Sequence, residues 1–237
     1  MKLGLSEKLL QLLVASDICC RIGLNHFWRG TIYRESRQMF EKLRLPLTWI
    51  FSVLLISLIL FSSNIWEEGF PSLSALLTLA GIFLIGIGSM GRLWCSLYIG
   101  GYKTDRLITV GPYSMCRNPL YFFSLLGGIG VGLMSGTFTI PLIFLCGFCL
   151  YYPFVISSEQ KNLLAIHGKE YETYLRTTPV FFPRLSLLEE PKEYVAKVHI
   201  FRRRMLGSLY FIWLAGALEL IEDLHHLKLL PVFFKLY

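Results

Sequence analysis

Charge is what this sequence has least of. Asp, Glu, Lys and Arg supply 16% of its 237 residues, while hydrophobic residues supply 54%; soluble domains carry roughly 25% charged residues. That excludes an ordinary soluble domain and points to a membrane protein. A nucleic-acid surface is also missing. Net charge is +7, but the Lys and Arg flank apolar runs, so they read as membrane topology and attraction to anionic lipid. Nor do the six cysteines form a framework. Cys19 and Cys20 are adjacent, Cys146 and Cys149 sit inside an apolar run, and Cys95 and Cys116 have no evident mates. Free thiols are expected. No metal site is expected either: Cys146 and Cys149 have no nearby histidine, and the adjacent His225 and His226 cannot both face one ion easily. The sequence has no internal repeat and no low-complexity segment. Its first 45 residues lack the short apolar core and cleavage site of a signal peptide.

What is present is a series of apolar runs with polar borders. Residues 6–24 hold Leu9, Leu10, Leu12, Leu13, Ile18 and Ile22 among polar positions, which predicts an amphipathic helix on the membrane surface. Arg21, Arg29, Arg34, Arg37, Lys42 and Arg44 follow, interleaved with Trp28 and Tyr33. Spans are predicted at about Pro46–Phe61, Leu73–Met90, Pro119–Met134 and Phe138–Ile156. A shorter run at about Met205–Ile221 reads as a fifth span, with a re-entrant or surface helix as the alternative. The fold class expected is all-α, a polytopic membrane bundle of about five transmembrane helices. It divides into a basic N-terminal segment (1–45), a core (46–183), and a linker with an extra C-terminal hydrophobic helix (184–237).

Loop charge sets the expected orientation. The segments before span one, between spans two and three, and between span four and the last apolar run hold 21 of the 23 Lys and Arg. The loops between spans one and two, and three and four, hold none. The positive-inside rule then puts the N-terminus and the polar segments 100–118 and 157–183 in the cytoplasm. Spans three and four form a hairpin turning at Ser135-Gly136-Thr137, so residues 117–121 and 157–160 meet at its mouth. The exit helix, 158–176, carries Leu163, His167, Tyr171 and Tyr174 on one face.

Arg117 is the most telling residue there. Alone it reads as a positive-inside anchor. With the Gly111-Pro112 turn, Tyr113, Asn118, Pro119 and Tyr121 around it, it reads as a fork of donors held at the membrane surface. Glu159 faces it from the other rim and can accept from an ammonium or a hydroxyl. Together they offer opposite charges to a zwitterionic ligand. Gly127, Gly128, Gly130 and Gly132 in span three read as close helix packing rather than a phosphate loop. Arg92 and Trp94 read as interfacial anchors or pocket lining, and Arg202-Arg203-Arg204 as a topology anchor or a lipid headgroup contact.

The string Leu107-Ile108-Thr109-x-Gly111-Pro112-Tyr113, then Arg117-Asn118-Pro119-x-Tyr121, resembles the signature of the isoprenylcysteine carboxyl methyltransferase and phospholipid methyltransferase superfamily. So does Glu159-Gln160-x-x-Leu163, followed by Gly168, Tyr171, Tyr174 and Pro179 to Pro183. The resemblance covers about residues 73–183. It implies S-adenosyl-L-methionine as cofactor, in a cytoplasmic pocket at the hairpin. It also implies cofactor contacts from Asp105, Arg106, Leu107, Ile108, Tyr113, Asn118, Pro119, Leu120, Tyr121, Glu159 and Gln160, with Arg117 and Glu159 nearest the chemistry.

This chain departs from the family pattern in three places. Asn118 stands where the family has histidine, Gln160 where it has a second glutamate, and Val155 where carboxyl methyltransferases have an arginine. Methyl transfer is in-line and needs alignment and a dry pocket more than an acid or base. If the acceptor is a carboxylate, Arg117 is placed to orient it; if an amine, Glu159 or water takes the proton. The expected enzyme is therefore a methyltransferase acting on a lipophilic acceptor from the bilayer, in a bacterial cytoplasmic (inner) membrane. The acceptor and the oligomeric state stay open. A sterol-reductase-like NADPH membrane reductase and a non-catalytic lipid-binding membrane protein are the alternatives. The first would want a further Lys/Arg cluster, and only Lys103 and Arg106 lie nearby.

Overall fold

Prolines open three of the helices, and glycine closes two of the long ones. A computed structural model describes residues 50–51, 53–64, 69–100, 106–231 and 233–236. The N-terminal segment 1–45, with its predicted surface helix, lies outside the described residues, as does most of the first predicted span; residues 53–60 of that span are helical. The helices that carry the site belong to the unit Leu58–Tyr237.

Helix α1 (Pro71–Ile99, 29 residues), the one-turn α2 (Pro112–Met115) and α3 (Pro119–Met134) each carry proline in the first turn. There its missing N–H costs nothing and its fixed φ suits the helix. Helix α4 (Thr139–His167) ends at Gly168, whose φ of +51° favours a residue without a Cβ. Helix α5 (Lys169–Thr177) then turns away. A 3-10 turn (Leu185–Leu187) and an extended stretch lead to α6 (Val198–Ser208), which breaks at Leu209 before α7 (Tyr210–His226). The strands β1 (Ser62–Asn64) and β2 (Phe234–Leu236) form a short parallel pair. The architecture is an all-α helix bundle.

Among the described residues, three helical stretches are long and apolar enough to cross a membrane: Pro71–Ile99, Thr139–His167 and Val198–His225; Pro119–Met134 is a shorter apolar helix. Predicted span three coincides with α3. Spans two and four fall within longer helices, because polar borders do not end a helix that still has backbone partners. Large side chains such as Phe83, Met90, Leu150, Phe154 and Trp213 are exposed. In water that would be a costly surface; in a bilayer it is the lipid face. This is an integral membrane protein.

Helices α1 and α3 touch backbone to backbone. A Cβ at Gly88 would fall 2.7 Å from Gly127 Cα, and one at Gly81 would fall 2.7 Å from Gly130 O. Gly132 meets the Pro141 backbone of α4, and Gly128 makes room for the Phe144 ring. The span-three glycines are thus packing residues, as the sequence suggested. The last helices run the length of the bundle. Arg92 Nη2 donates to Gly207 O (3.4 Å) at one end, and His225 Nε2 lies 3.0 Å from Leu60 O at the other.

Candidate active site at the hairpin mouth

Gly111 sets the geometry. Its φ is +62°, and a Cβ there would overlap the Tyr98 ring at 2.4 Å. Glycine alone allows this turn to lie flat on α1. The turn is then clamped from its other side. Gly111 N–H donates to Glu189 O (2.8 Å), and Arg184 N–H donates to Met115 O (3.1 Å). Ser114 Oγ donates to Gly111 O (2.7 Å) and accepts from Glu189 N–H (2.9 Å). Tyr98 itself donates to Glu190 (3.3 Å), while Tyr194 OH donates to Tyr98 O (2.7 Å). Residues 184–194 thus form a strap across α2.

The two sequence motifs are stitched together directly. Tyr174 OH donates to Tyr113 O at 2.6 Å. Arg117 N–H donates to Pro179 O (2.9 Å), and the Asn118 side-chain amide donates to Val180 O (2.8 Å). Asparagine at this position is therefore a tie to the segment after α5. An aromatic wall continues inward: Tyr121 meets Tyr152 at 4.8 Å, Tyr152 stacks on Phe148 at 3.7 Å, and Phe181 bridges Phe148 and Phe122.

The polar groups at this mouth are unevenly satisfied. Tyr113 OH and Arg117 Nε are buried without a hydrogen-bond partner among the described residues. Burial pushes the Tyr113 phenol well above its ordinary range; Cys95, Tyr174 and Glu159 push the same way, while Arg204 opposes them. The Tyr171 phenol is raised chiefly by burial, with Arg117 lowering it and Glu159 raising it. Tyr171 therefore lies within electrostatic reach of both rims. The Cys116 thiol is fully buried and pushed up to about 12, by burial. It stays protonated at neutral pH and is no nucleophile.

The remaining predicted residues fall as follows. Asp105 lies outside the described residues, and Arg106 is exposed. Leu107 is half-buried, while Ile108 and Leu120 pack against the Cys95–Tyr98–Tyr113 cluster. Pro119 is buried, Glu159 and Gln160 are half-buried, and Val155 is buried. Three contributors stand outside the predicted site set. Arg92 donates to Ser124 Oγ and lies over the rings of Tyr210 (5.1 Å) and Phe211 (5.6 Å). It ties α1 to α3, α6 and α7; an arginine at the border of an apolar run was the available signal. Arg204 reaches the Tyr113 region from α6. The Glu189–Tyr194 strap carried no signal beyond polarity.

A family model described as phospholipid methyltransferase matches residues 72–170, which holds α1, the Gly111 turn, the hairpin and Glu159. The chain belongs to the isoprenylcysteine carboxyl methyltransferase and phospholipid methyltransferase superfamily. Among relatives of this superfamily member, the nickel-cobalt-cadmium resistance protein NccN of Alcaligenes xylosoxydans xylosoxydans is 41% identical over 184 residues, covering 78% of this chain and 84% of that protein. The cobalt-zinc-cadmium resistance protein CzcN of Cupriavidus metallidurans is 38% identical over 167 residues, covering 70% and 76%. The methanethiol S-methyltransferase of Crocosphaera subtropica is 28% identical over 158 residues, covering 63% and 60%. No solved structure matches. The superfamily match ends before Tyr171, so Tyr174, the strap and α6 all lie outside it.

Proposed function

We propose that this protein transfers a methyl group from S-adenosyl-L-methionine to a lipophilic acceptor at the cytoplasmic face of the membrane, with the site at the hairpin mouth. One observation carries the reading: Tyr174 OH on Tyr113 O, with Arg117 N–H on Pro179 O, joins the two motifs into one site. A buried Tyr113 hydroxyl and Arg117 Nε without partners there fit a ligand that brings polar groups of its own.

The residues present suit this cofactor. Glu159 offers an acceptor to an ammonium or a ribose hydroxyl, and Arg117 offers a fork of donors to a carboxylate. The cofactor would supply an electrophilic methyl group on a sulfonium. The chain's part is to bind, align and keep water out, which the Tyr121–Tyr152–Phe148 wall is built to do. Protonated Cys116 does not compete as a methyl acceptor. A site at headgroup level lets a water-soluble donor arrive from one side and a greasy acceptor from the bilayer. Membership of a methyltransferase superfamily and the relative named for S-methyl transfer support the reaction class. The two relatives named for metal resistance point to a cellular role without naming a reaction.

The test is calorimetry of the full-length protein in detergent with S-adenosylhomocysteine. Wild type is expected to bind, and Glu159→Ala and Arg117→Ala to bind at least tenfold more weakly. A wild type that does not bind overturns the methyl-transfer reading. Two variants that bind as wild type overturn the site.

A further inference from the structure

Outside the hairpin mouth, a groove runs along α6, the helix that carries three consecutive arginines. Among the described residues it is lined by His199, Ile200, Arg202, Arg203, Arg204, Met205 and Leu206, with a volume of about 800 Å³. That is room for a small ligand. Helical spacing orders the lining. His199, Arg202, Arg203 and Leu206 stand at i, i+3, i+4 and i+7, one face of the helix. The cations come first, and Leu206 lies about one turn (~6 Å) further toward α7.

The direction matters. Upstream of α6, Tyr194 is bonded to Tyr98 at the mouth end of the bundle. Downstream, α7 runs to His225, which contacts Leu60 at the opposite end. The charged part of the groove therefore sits at the membrane border and its apolar part points inward. An amphiphile with an anionic head would enter in that orientation. Arg202 and Arg203 are exposed, and no acidic side chain lines the groove among the described residues. Helix α6 is anchored by Ser96 Oγ to Ser208 Oγ (3.3 Å) and by Arg92 to Gly207 O, so the groove has a rigid wall.

We propose that the α6 groove binds an anionic phospholipid, with its phosphate on Arg202 and Arg203 and its glycerol and upper acyl carbons along Met205 and Leu206. Guanidinium forks match phosphate oxygens in geometry and charge, and anionic lipid is the ligand a cytoplasmic-side basic groove meets at high local concentration. The groove adjoins the mouth through Arg204, but Arg202 and Arg203, the residues proposed to hold the phosphate, are assigned no part in methyl transfer.

The experiment is a thermal-shift titration of the full-length protein in neutral detergent. The probes are dihexanoyl phosphatidylglycerol, dihexanoyl phosphatidylcholine and inorganic phosphate. Phosphatidylglycerol is expected to raise the midpoint and to bind at least fivefold tighter than phosphatidylcholine. Its affinity should fall steadily as salt is raised, which needs no variant. Arg202→Gln combined with Arg203→Gln should abolish the difference between the two lipids, whereas Arg176→Gln on α5 should retain it. Equal binding of both lipids, salt-independent binding, or an unchanged double variant overturns the proposal. Stabilisation by inorganic phosphate equal to that by phosphatidylglycerol also overturns it, leaving an anion site with no lipid component.

Discussion

The two ends of the α3–α4 hairpin are made of similar polar residues and treat them oppositely. At the closed end the polar side chains of Ser135, Thr137, Asn64 and Ser74 pair with one another or with backbone. Ser135 Oγ donates to Gly132 O at 2.7 Å and pairs with Thr137 Oγ1 at 2.9 Å, and Asn64 Nδ2 donates to Ser74 Oγ at 2.7 Å. At the open end, Tyr113 OH, Arg117 Nε and His167 Nε2 are buried and unpartnered among the described residues. The other two such atoms, on Ser89 and Arg92, lie inside α1. Leaving a buried polar group unpaired costs about 1–3 kcal/mol. One hairpin thus carries its unmet polar capacity at one end, which is where a ligand can repay it.

The most disruptive way to break this comparison is to remove the frame that both ends share. Gly88→Leu forces side-chain atoms into the α3 backbone at Gly127 and is expected to cost about 3 kcal/mol or more. Size-exclusion chromatography in detergent should show aggregate in place of a single peak. Tyr174→Phe is gentler: it strands the Tyr113 carbonyl, for about 1–3 kcal/mol. Thermal melts should show a lower midpoint, and calorimetry a weaker S-adenosylhomocysteine affinity. A change in stability alone would mean that Tyr174 does not shape the site.

The sharpest contrast pairs Glu159→Gln with Ser135→Ala. The first should weaken S-adenosylhomocysteine at least tenfold, about 1.4 kcal/mol, with an unchanged melting midpoint. The second should lower stability by about 1 kcal/mol and leave binding within twofold. The reverse pattern would place the functional end wrongly. A further effect is expected in alkali. The Cys116 thiol is ordinarily near 9.0 and is raised to about 12 in the fold. Its contribution to stability is therefore fully present below pH 9 and lost as pH rises toward 12. Melting midpoints should fall across that window. At pH 8, iodoacetamide should leave Cys116 unmodified in the native protein and label it after denaturation, as read by mass spectrometry.

Much of this was legible in the residues. Pro119 and Gly136 marked the ends of α3 because proline and glycine act through backbone geometry, which needs no tertiary context. The glycines of span three could be assigned to packing because apolar surroundings leave them little else to do. Hairpin connectivity led to the expectation that residues 117–121 meet 157–160; the bonds that tie residues 113–118 to 174–180 did not follow from it. Other features were hidden. Residues 184–194 have no periodicity, and their role rests on main-chain bonds to Gly111 and Met115, with Glu190 and Tyr194 adding side-chain ties to Tyr98. Arg92 looked like a border residue because sequence shows neighbours along a helix and not across one; only the fold sets Ser124, Gly207 and Tyr210 around it. Asn118 looked like a loss relative to histidine, and its amide instead serves the chain at Val180.

The strap has a consequence in time as well as in space. Ser114 and Glu189 are 75 residues apart, and a ribosome delivers the first long before the second. While α3 and α4 are being threaded into the bilayer, the Gly111 turn has no partner for its N–H. The turn therefore stays unclamped until residue 189 has been made, so the strap closes on it only after α3 and α4 have been synthesised.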